Sequence, residues 1–261
     1  MSTITTYAFL GSTGNCGRAI IQILLRRPDA QIRAYCRSRA KLVRLLPEMD
    51  EYKQVEVFEG SIHDEQVLAA CIRNCRAVFL VVSTTITLPA VVWRKTPPAP
   101  SSGLCKIKQA PKLILLSSAT IDDHFSRHVP FLLRQILLRS APYVYHDLLE
   151  TEKLLRAEIH WLTTIFIKPG ALSVDEQRGH ALSLTDETSP LSYLDLAAVM
   201  VEAVDDPDGR YDMRDVSVVN TNGPAKFSTG SPVCLYSDGA CDAFLPISPS
   251  VPAIYRSRVI T

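Results

Sequence analysis

Ala8-Phe-Leu-Gly-Ser-Thr-Gly-Asn-Cys-Gly17 is the stretch that decides the fold. An apolar run, Ile4 to Leu10, feeds a turn with glycines at 11, 14 and 17. Arg18-Ala-Ile-Ile-Gln-Ile-Leu-Leu-Arg-Arg27 follows with amphipathic helical spacing. Strand, glycine-rich turn and helix make the first unit of a dinucleotide-binding fold. In that unit Gly11 allows the tight turn off the strand. Gly14 leaves room for a pyrophosphate against the backbone, and Gly17 lets the helix pack close to the sheet. The phosphates would rest on free N–H groups at the positive end of the helix.

Outward from this unit, strands and helices alternate. Strands are expected at Gln31–Cys36, Gln54–Glu59, Ala77–Ser83, Lys112–Ser117 and Trp161–Ile167, with a short last one at Val216–Val219. Helices are expected at Ala40–Leu46, Glu65–Asn74, Phe131–Leu138, Asp147–Ala157 and Tyr193–Val204. The run Ala-Val-Phe-Leu-Val-Val-Ser (77–83) is nearly all apolar, as a strand buried on both faces should be. The pattern predicts an α/β fold of Rossmann type: a doubly wound parallel sheet with a small C-terminal substrate region. Residues 1–220 are expected to form the NAD(P)-binding domain. Within it 86–110, with Thr-Pro-Pro-Ala-Pro-Ser-Ser-Gly at 96–103, is an irregular insertion. Residues 221–261 have no sustained period and read as an irregular tail.

Composition narrows the function. The chain has 261 residues, 47% hydrophobic and 21% charged, with a net charge of +1. That balance gives no electrostatic reason to expect a nucleic-acid or membrane-surface partner. The apolar runs are too short for a membrane span, and the first strand begins almost at Met1, leaving no room for a secretory signal. The seven cysteines form no C-x-x-C pair and have no matching histidines for a metal site. They read as reduced thiols of a cytoplasmic protein. Cys16 is set apart, because its position in the glycine turn would bring a thiol near a bound cofactor.

Several residues are placed for chemistry. Arg37 follows the second strand, where an acid would bind the 2′-hydroxyl of NAD and an arginine suits the 2′-phosphate of NADP. Arg39 is a second guanidinium there, whereas Arg33 lies within the strand. No Asp or Glu occurs between residues 30 and 40. Ser117-Ser118-Ala119 ends the fifth strand beside the expected crevice. Ser118 is placed either to bond a substrate carbonyl or to cap a turn. Tyr143, Tyr145 and His146 precede the expected helix at Asp147. A tyrosine near nicotinamide can be a general acid if a cation lowers its pKa. Asp147 and Leu149, not lysine, stand four residues after the two tyrosines. The Tyr-x-x-x-Lys pair is therefore missing, and Lys153 is too far along to replace it simply. His146 either takes the lysine's part or is a surface residue. Lys168 of Lys-Pro-Gly (168–170) is either functional or merely solvated.

Further stretches carry a family likeness: Glu-Gly-Ser-Ile-His-Asp (59–64), Leu-Leu-Ser-Ser-Ala-Thr-Ile-Asp-Asp (115–123), Tyr-His-Asp-Leu-Leu-Glu-Thr-Glu-Lys-Leu-Leu-Arg (145–156) and Leu-Ser-Tyr-Leu-Asp-Leu-Ala (191–197). With the glycine motif, they run in order from about residue 4 to 220. The chain resembles the atypical short-chain dehydrogenases of NmrA-like type, and within them the fungal averufin oxidase A family of secondary-metabolite oxidoreductases. That resemblance implies an NADP(H)-binding enzyme acting on an aromatic polyketide, such as an anthraquinone or xanthone. It implies cofactor contacts at Gly11, Thr13, Gly14, Asn15, Cys16, Gly17 and Arg37, with Asp64 near the adenine. Ser118 and Tyr145 or His146 would face the substrate carbonyl. NmrA-like proteins also include regulators that bind NADP without turning it over, so a non-catalytic redox sensor is the alternative.

Overall fold

β1 (Thr5–Leu10) stands at the centre of the architecture. Its residues alternate between two apolar layers, as the two-residue period of a strand requires. Tyr7 and Phe9 face one layer, Ala8 and Leu10 the other. A computed structural model describes residues 4–82 and 111–226. The predicted insertion at 86–110 lies outside the described residues, as does the tail beyond Lys226.

The remaining elements follow the expected alternation, in chain order α1 (Asn15–Leu25), β2 (Ala30–Cys36), α2 (Arg39–Leu45), β3 (Val55–Glu59), α3 (Glu65–Ile72) and β4 (Ala77–Leu80). Beyond residue 110 come β5 (Lys112–Leu116), α4 (Phe131–Ser140), α5 (Pro142–Ala157), β6 (Thr164–Ile167), β7 (Leu172–Ser173), β8 (His180–Ser183), β9 (Leu191–Ser192), α6 (Tyr193–Asp205) and β10 (Asp215–Asn220). Among the described residues eight strands form one sheet in the order β3-β2-β1-β4-β5-β6-β10-β8. All neighbours are parallel except β8, which runs antiparallel to β10. This is the doubly wound Rossmann order, and strand order reverses between β1 and β4.

One apolar layer lies between the sheet and helices α1 and α6. It includes Ile20, Ile21 and Leu24 of α1 with Val199, Met200 and Ala203 of α6. Phe9 and Phe79 stack within it, their centroids 4.9 Å apart. The other layer joins Leu68 and Ile72 of α3, Leu155 of α5 and Phe166 of β6. Each large side chain buried this way contributes about 2 kcal/mol. Among the described residues no helix is long and apolar enough to cross a membrane.

Three of the departures from the expected boundaries have a clear physical reason. α5 begins at Pro142, not Asp147, because a proline in the first turn loses no hydrogen bond and already has helical φ. Tyr143, Tyr145 and His146 therefore lie inside this helix rather than before it. β6 begins at Thr164, not Trp161, because the backbone N–H groups of Trp161 and Leu162 are drawn into a turn on the carbonyl of Glu158. Third, six residues of the stretch read as a tail, 221–226, are described and are tied down. Ala225 is buried and donates its N–H to Pro190, and Lys226 donates its N–H to Asp175.

The Leu-Ser-Tyr-Leu-Asp-Leu-Ala motif has a structural role. Ser192 caps α6 by accepting from the N–H of Asp195 and donates its hydroxyl back to that carboxylate. Asp195, fully buried, also accepts the N–H groups of Arg178 and Gly179 and pairs with His180.

Candidate functional site

The glycine turn leaves β1 at the switch between β1 and β4. Gly11 has φ +109°, a conformation L side chains rarely adopt. A Cβ there would meet the Val81 carbonyl oxygen at 2.8 Å, so the turn passes directly over the end of β4. Ser12, fully buried, fastens the turn to the next strand by donating its hydroxyl to the carbonyl of Tyr35 at 3.0 Å. At Gly17 a Cβ would collide with the carbonyl oxygen of Gly11 and approach Ser12 Cα to 2.9 Å, so α1 packs on its own turn.

Gly14 is different. It is exposed, and the nearest atom to a Cβ there is 3.5 Å away. It is the N-cap of α1, but no side chain caps the helix and its first turn holds no acid. The helix end thus keeps its positive potential and presents it to open space. Thr13 is half-buried and Asn15 exposed beside it; Asn15 accepts from Arg18 at 2.5 Å. This cradle fits a dinucleotide pyrophosphate.

Cys16 departs from expectation. Its side chain turns inward against Met200 of α6, with 3.7 Å between the sulfurs. Burial pushes its thiol up to about 12, so it stays protonated, and only its backbone N–H is left for a cofactor.

Arg37 stands exposed just beyond the end of β2. Arg39 opens α2, and Arg33 is used structurally, donating to the Arg73 carbonyl at 2.7 Å and pairing with Glu56. Asp64 sits on the same rim, beyond β3. Its carboxylate accepts the Val67 N–H and caps α3.

The reaction side is built at the ends of β5 and β6. Ser118 is half-buried and accepts the N–H of Thr120, capping a single turn at Ala119–Ile121. Tyr145 reaches this turn from α5, and its phenol lies beside the Thr120 side chain, which acts to lower its pKa. The structure thus brings Ser118 and Tyr145 to one loop. Among the described residues it brings no cation to the phenol. Burial raises the Tyr145 pKa, only partly offset by Thr120, which reverses the lowering expected of a cation-activated acid. His146 is exposed one residue along, with Glu150 as the charge beside it. Lys153 is engaged with Glu150 on the surface.

Of the two readings left open for Lys168, the structure removes the solvated one: the residue is 4% exposed. Its ammonium lies 2.8 Å from Asp122, 3.0 Å from Asp215 and 3.1 Å from Glu152. Burial alone would lower its pKa, but the hydrogen bond to Asp122 and the charges of Glu152 and Asp215 outweigh it and the net shift is upward. Glu152 also accepts the Ser117 hydroxyl at 2.5 Å. Sequence reasoning missed Ser12, Thr120, Asp122, Glu152 and Asp215. One signal was present: Glu152 is seven residues after Tyr145, on the same side of α5. A groove of about 450 Å³, lined by Asp122, His124, Phe125 and Asp215 among others, opens beside this cluster.

With this geometry in place, the comparisons are specific. A model of the NAD(P)H-binding family matches residues 11–207. The chain belongs to that family. Two close relatives are oxidoreductases by name. Oxidoreductase nsrR of Aspergillus novofumigatus is 58% identical over 238 residues, spanning 88% of this chain and 90% of its own. Oxidoreductase tpcG of Aspergillus fumigatus is 52% identical over 253 residues, spanning 95% and 96%. This kinship puts the chain among the oxidoreductases of the family. The fold is also that of a short-chain dehydrogenase/reductase from Veillonella parvula solved in complex with NADP. The TM-score is 0.67 at 16% identity, over 86% of this chain and 99% of that one.

Proposed function

We propose that this protein is an NADP(H)-dependent oxidoreductase acting on an aromatic polyketide of anthraquinone or xanthone type. The observation that carries the cofactor half is the uncapped, acid-free end of α1 at Gly14, with Arg37 exposed at the end of β2 where a NAD-binding acid would stand. Gly11, Thr13, Gly14, Asn15 and Gly17, with the Cys16 backbone, cradle the pyrophosphate in this reading. Arg37 holds the 2′-phosphate, and Asp64 borders the adenine. When bound, the nicotinamide supplies the hydride chemistry.

The chain's own part is orientation and protons. Ser118 and Tyr145 offer hydroxyls to the substrate carbonyl from one loop. The raised pKa keeps the Tyr145 phenol protonated, suiting it to donate a hydrogen bond to an oxygen that gains charge. His146, exposed on α5, is the group open to solvent. The substrate class rests on the resemblance to the averufin oxidase A family. A cytoplasmic location accords with the four described cysteines, all free and buried.

Calorimetric titration with NADPH, NADP⁺, NADH and NAD⁺ tests the cofactor half. The phosphorylated pair should bind at least about tenfold tighter, and Arg37→Ala should erase that preference. Equal binding of all four by the wild type would remove Arg37 from the site. The second reading, a non-catalytic sensor, draws on the absence, among the described residues, of a cation at Tyr145. A folded protein that binds NADPH yet fails to oxidise it with a panel of hydroxyanthraquinones would favour it.

A further inference from the structure

Four residues after Tyr145 stands Leu149, so α5 carries no lysine beside its tyrosine. A lysine is nevertheless buried nearby, and it comes from a different element. Lys168, just beyond β6, meets Asp122 of the loop after β5, Glu152 of α5 and Asp215 at the start of β10. Glu152 lies two helical turns beyond Tyr145. One of its oxygens faces Lys168 and the other accepts from Ser117. Tyr145 lies beside Thr120. The helix therefore meets the 117–122 loop at two points, through a hydrogen bond at Ser117 and side by side at Thr120. Lys168 ties the loop's far end, Asp122, back to the same helix through Glu152. Pro169, the next residue, accepts the Ala119 N–H at 2.9 Å.

An ammonium buried among carboxylates is a costly way to fill a core, because both partners lose their hydration. Apolar side chains would fill the same volume more cheaply. What the charged arrangement supplies is direction: Asp122 uses one oxygen for the His124 and Phe125 N–H groups and the other for Lys168. The loop is thereby fixed in both rotation and distance.

We propose that Lys168 is the positioning residue of the reaction site. It stands in for the lysine missing four residues after Tyr145, holding the Ser118–Thr120 turn against Tyr145 through Asp122 and Glu152 rather than touching the phenol. This rests on the reading of Ser118 and Tyr145 as the groups that face the substrate carbonyl.

The test is NMR of protein labelled at the tyrosine Cζ, with Tyr145→Phe assigning the Tyr145 resonance. It needs neither substrate nor cofactor. Lys168→Met should shift the Tyr145 resonance, and Lys168→Arg should return it towards the wild-type position. Tyr7, held by Asp205 on the other face of the sheet, should not move. Asp122→Asn covers the case in which Lys168→Met does not fold. Asparagine keeps an oxygen for the loop N–H groups but turns an amino group towards Lys168, so it should shift Tyr145 alone. A Tyr145 resonance unchanged in Asp122→Asn, or in folded Lys168→Met, overturns the proposal. So does a shift that Lys168→Arg fails to reverse. NADPH titration of the same wild-type sample keeps the two readings apart. If it does not bind, the cofactor reading fails, and the resonances still decide the loop geometry.

Discussion

The two ends of the cleft are held by different physics. On the cofactor side the turn after β1 is shaped by backbone: a positive φ at Gly11, a collision avoided at Gly17, an open helix end at Gly14. Its tightest contact, Gly17 against the Gly11 carbonyl, spans six residues, while Gly11 against Val81 and Ser12 against Tyr35 tie the turn to the neighbouring strands. On the reaction side the loop after β5 is held by side-chain charge. Its bonds join residues 35, 46 and 47 positions apart: Ser117 to Glu152, Asp122 to Lys168, and Lys168 to Asp215. At Gly11 and Gly17 the first kind of site tolerates almost no added atoms. The second tolerates them but fails when a charge is lost.

Removing the charge should have the largest effect. Among the described residues, Lys168→Met leaves Asp122 without its cation and Glu152 and Asp215 with Arg156 alone, and breaking a buried pair costs about 3–5 kcal/mol. Urea unfolding should show that loss, and Lys168→Arg should recover most of it. A loss under about 1 kcal/mol would mean the cluster is solvated enough to be dispensable. The matching attack on the backbone side is Gly11→Ala. Strain at φ +109° and the Cβ contact with Val81 should together cost about 2–4 kcal/mol. A neutral result would show that the turn can relax away from β4.

Gly14→Ala divides folding from binding within the backbone-built side. Its φ of −77° suits alanine and the nearest atom is 3.5 Å from a Cβ, so stability should change by less than about 0.5 kcal/mol. The added methyl fills the space reserved for the pyrophosphate, and NADPH affinity should fall at least about tenfold by calorimetry. Unchanged affinity would move the phosphates away from the end of α1.

This contrast explains what could be read in the sequence. β1, α1 and β2 were legible to within a few residues because their information is local: an apolar run, a glycine spacing, a helical period. Gly11 and Gly17 carried their reasons in their identity. The reaction side was legible only in part. Ser118 and Tyr145 were picked out by position and do meet at one loop. Lys168 could not be distinguished from a solvated lysine, because burying it depends on Asp122, Glu152 and Asp215, from three other elements. Cys16 was misread because a helix's first turn points one residue inward and the next outward, and spacing alone did not say which. Pro142 was the overlooked signal that α5 starts early enough to contain Tyr145.

The smallest effect concerns a second charge cluster, and it sharpens the same comparison. His180 shares hydrogen bonds with Asp195 at 3.1 Å and Glu202 at 2.9 Å. Burial lowers its pKa, but the bonds to Glu202 and Asp195 outweigh it, and the net shift is upward from 6.5. The charged ring can donate to both carboxylates at once; the neutral ring can donate to only one. A raised folded pKa means that the stabilisation is complete below the unfolded value near 6.5 and is lost as pH rises through the folded one. His180→Gln removes the charge while keeping a hydrogen-bonding side chain. The gap in urea midpoint between wild type and this variant should therefore be widest at about pH 6 and narrow towards about pH 8.5. The gap for Lys168→Met should stay constant over the same range, because a lysine with a raised pKa does not titrate there. A pH-independent His180 gap would mean that the ring is neutral between its carboxylates, and that the charge logic of the Lys168 cluster does not extend to the lobe around β8 and α6.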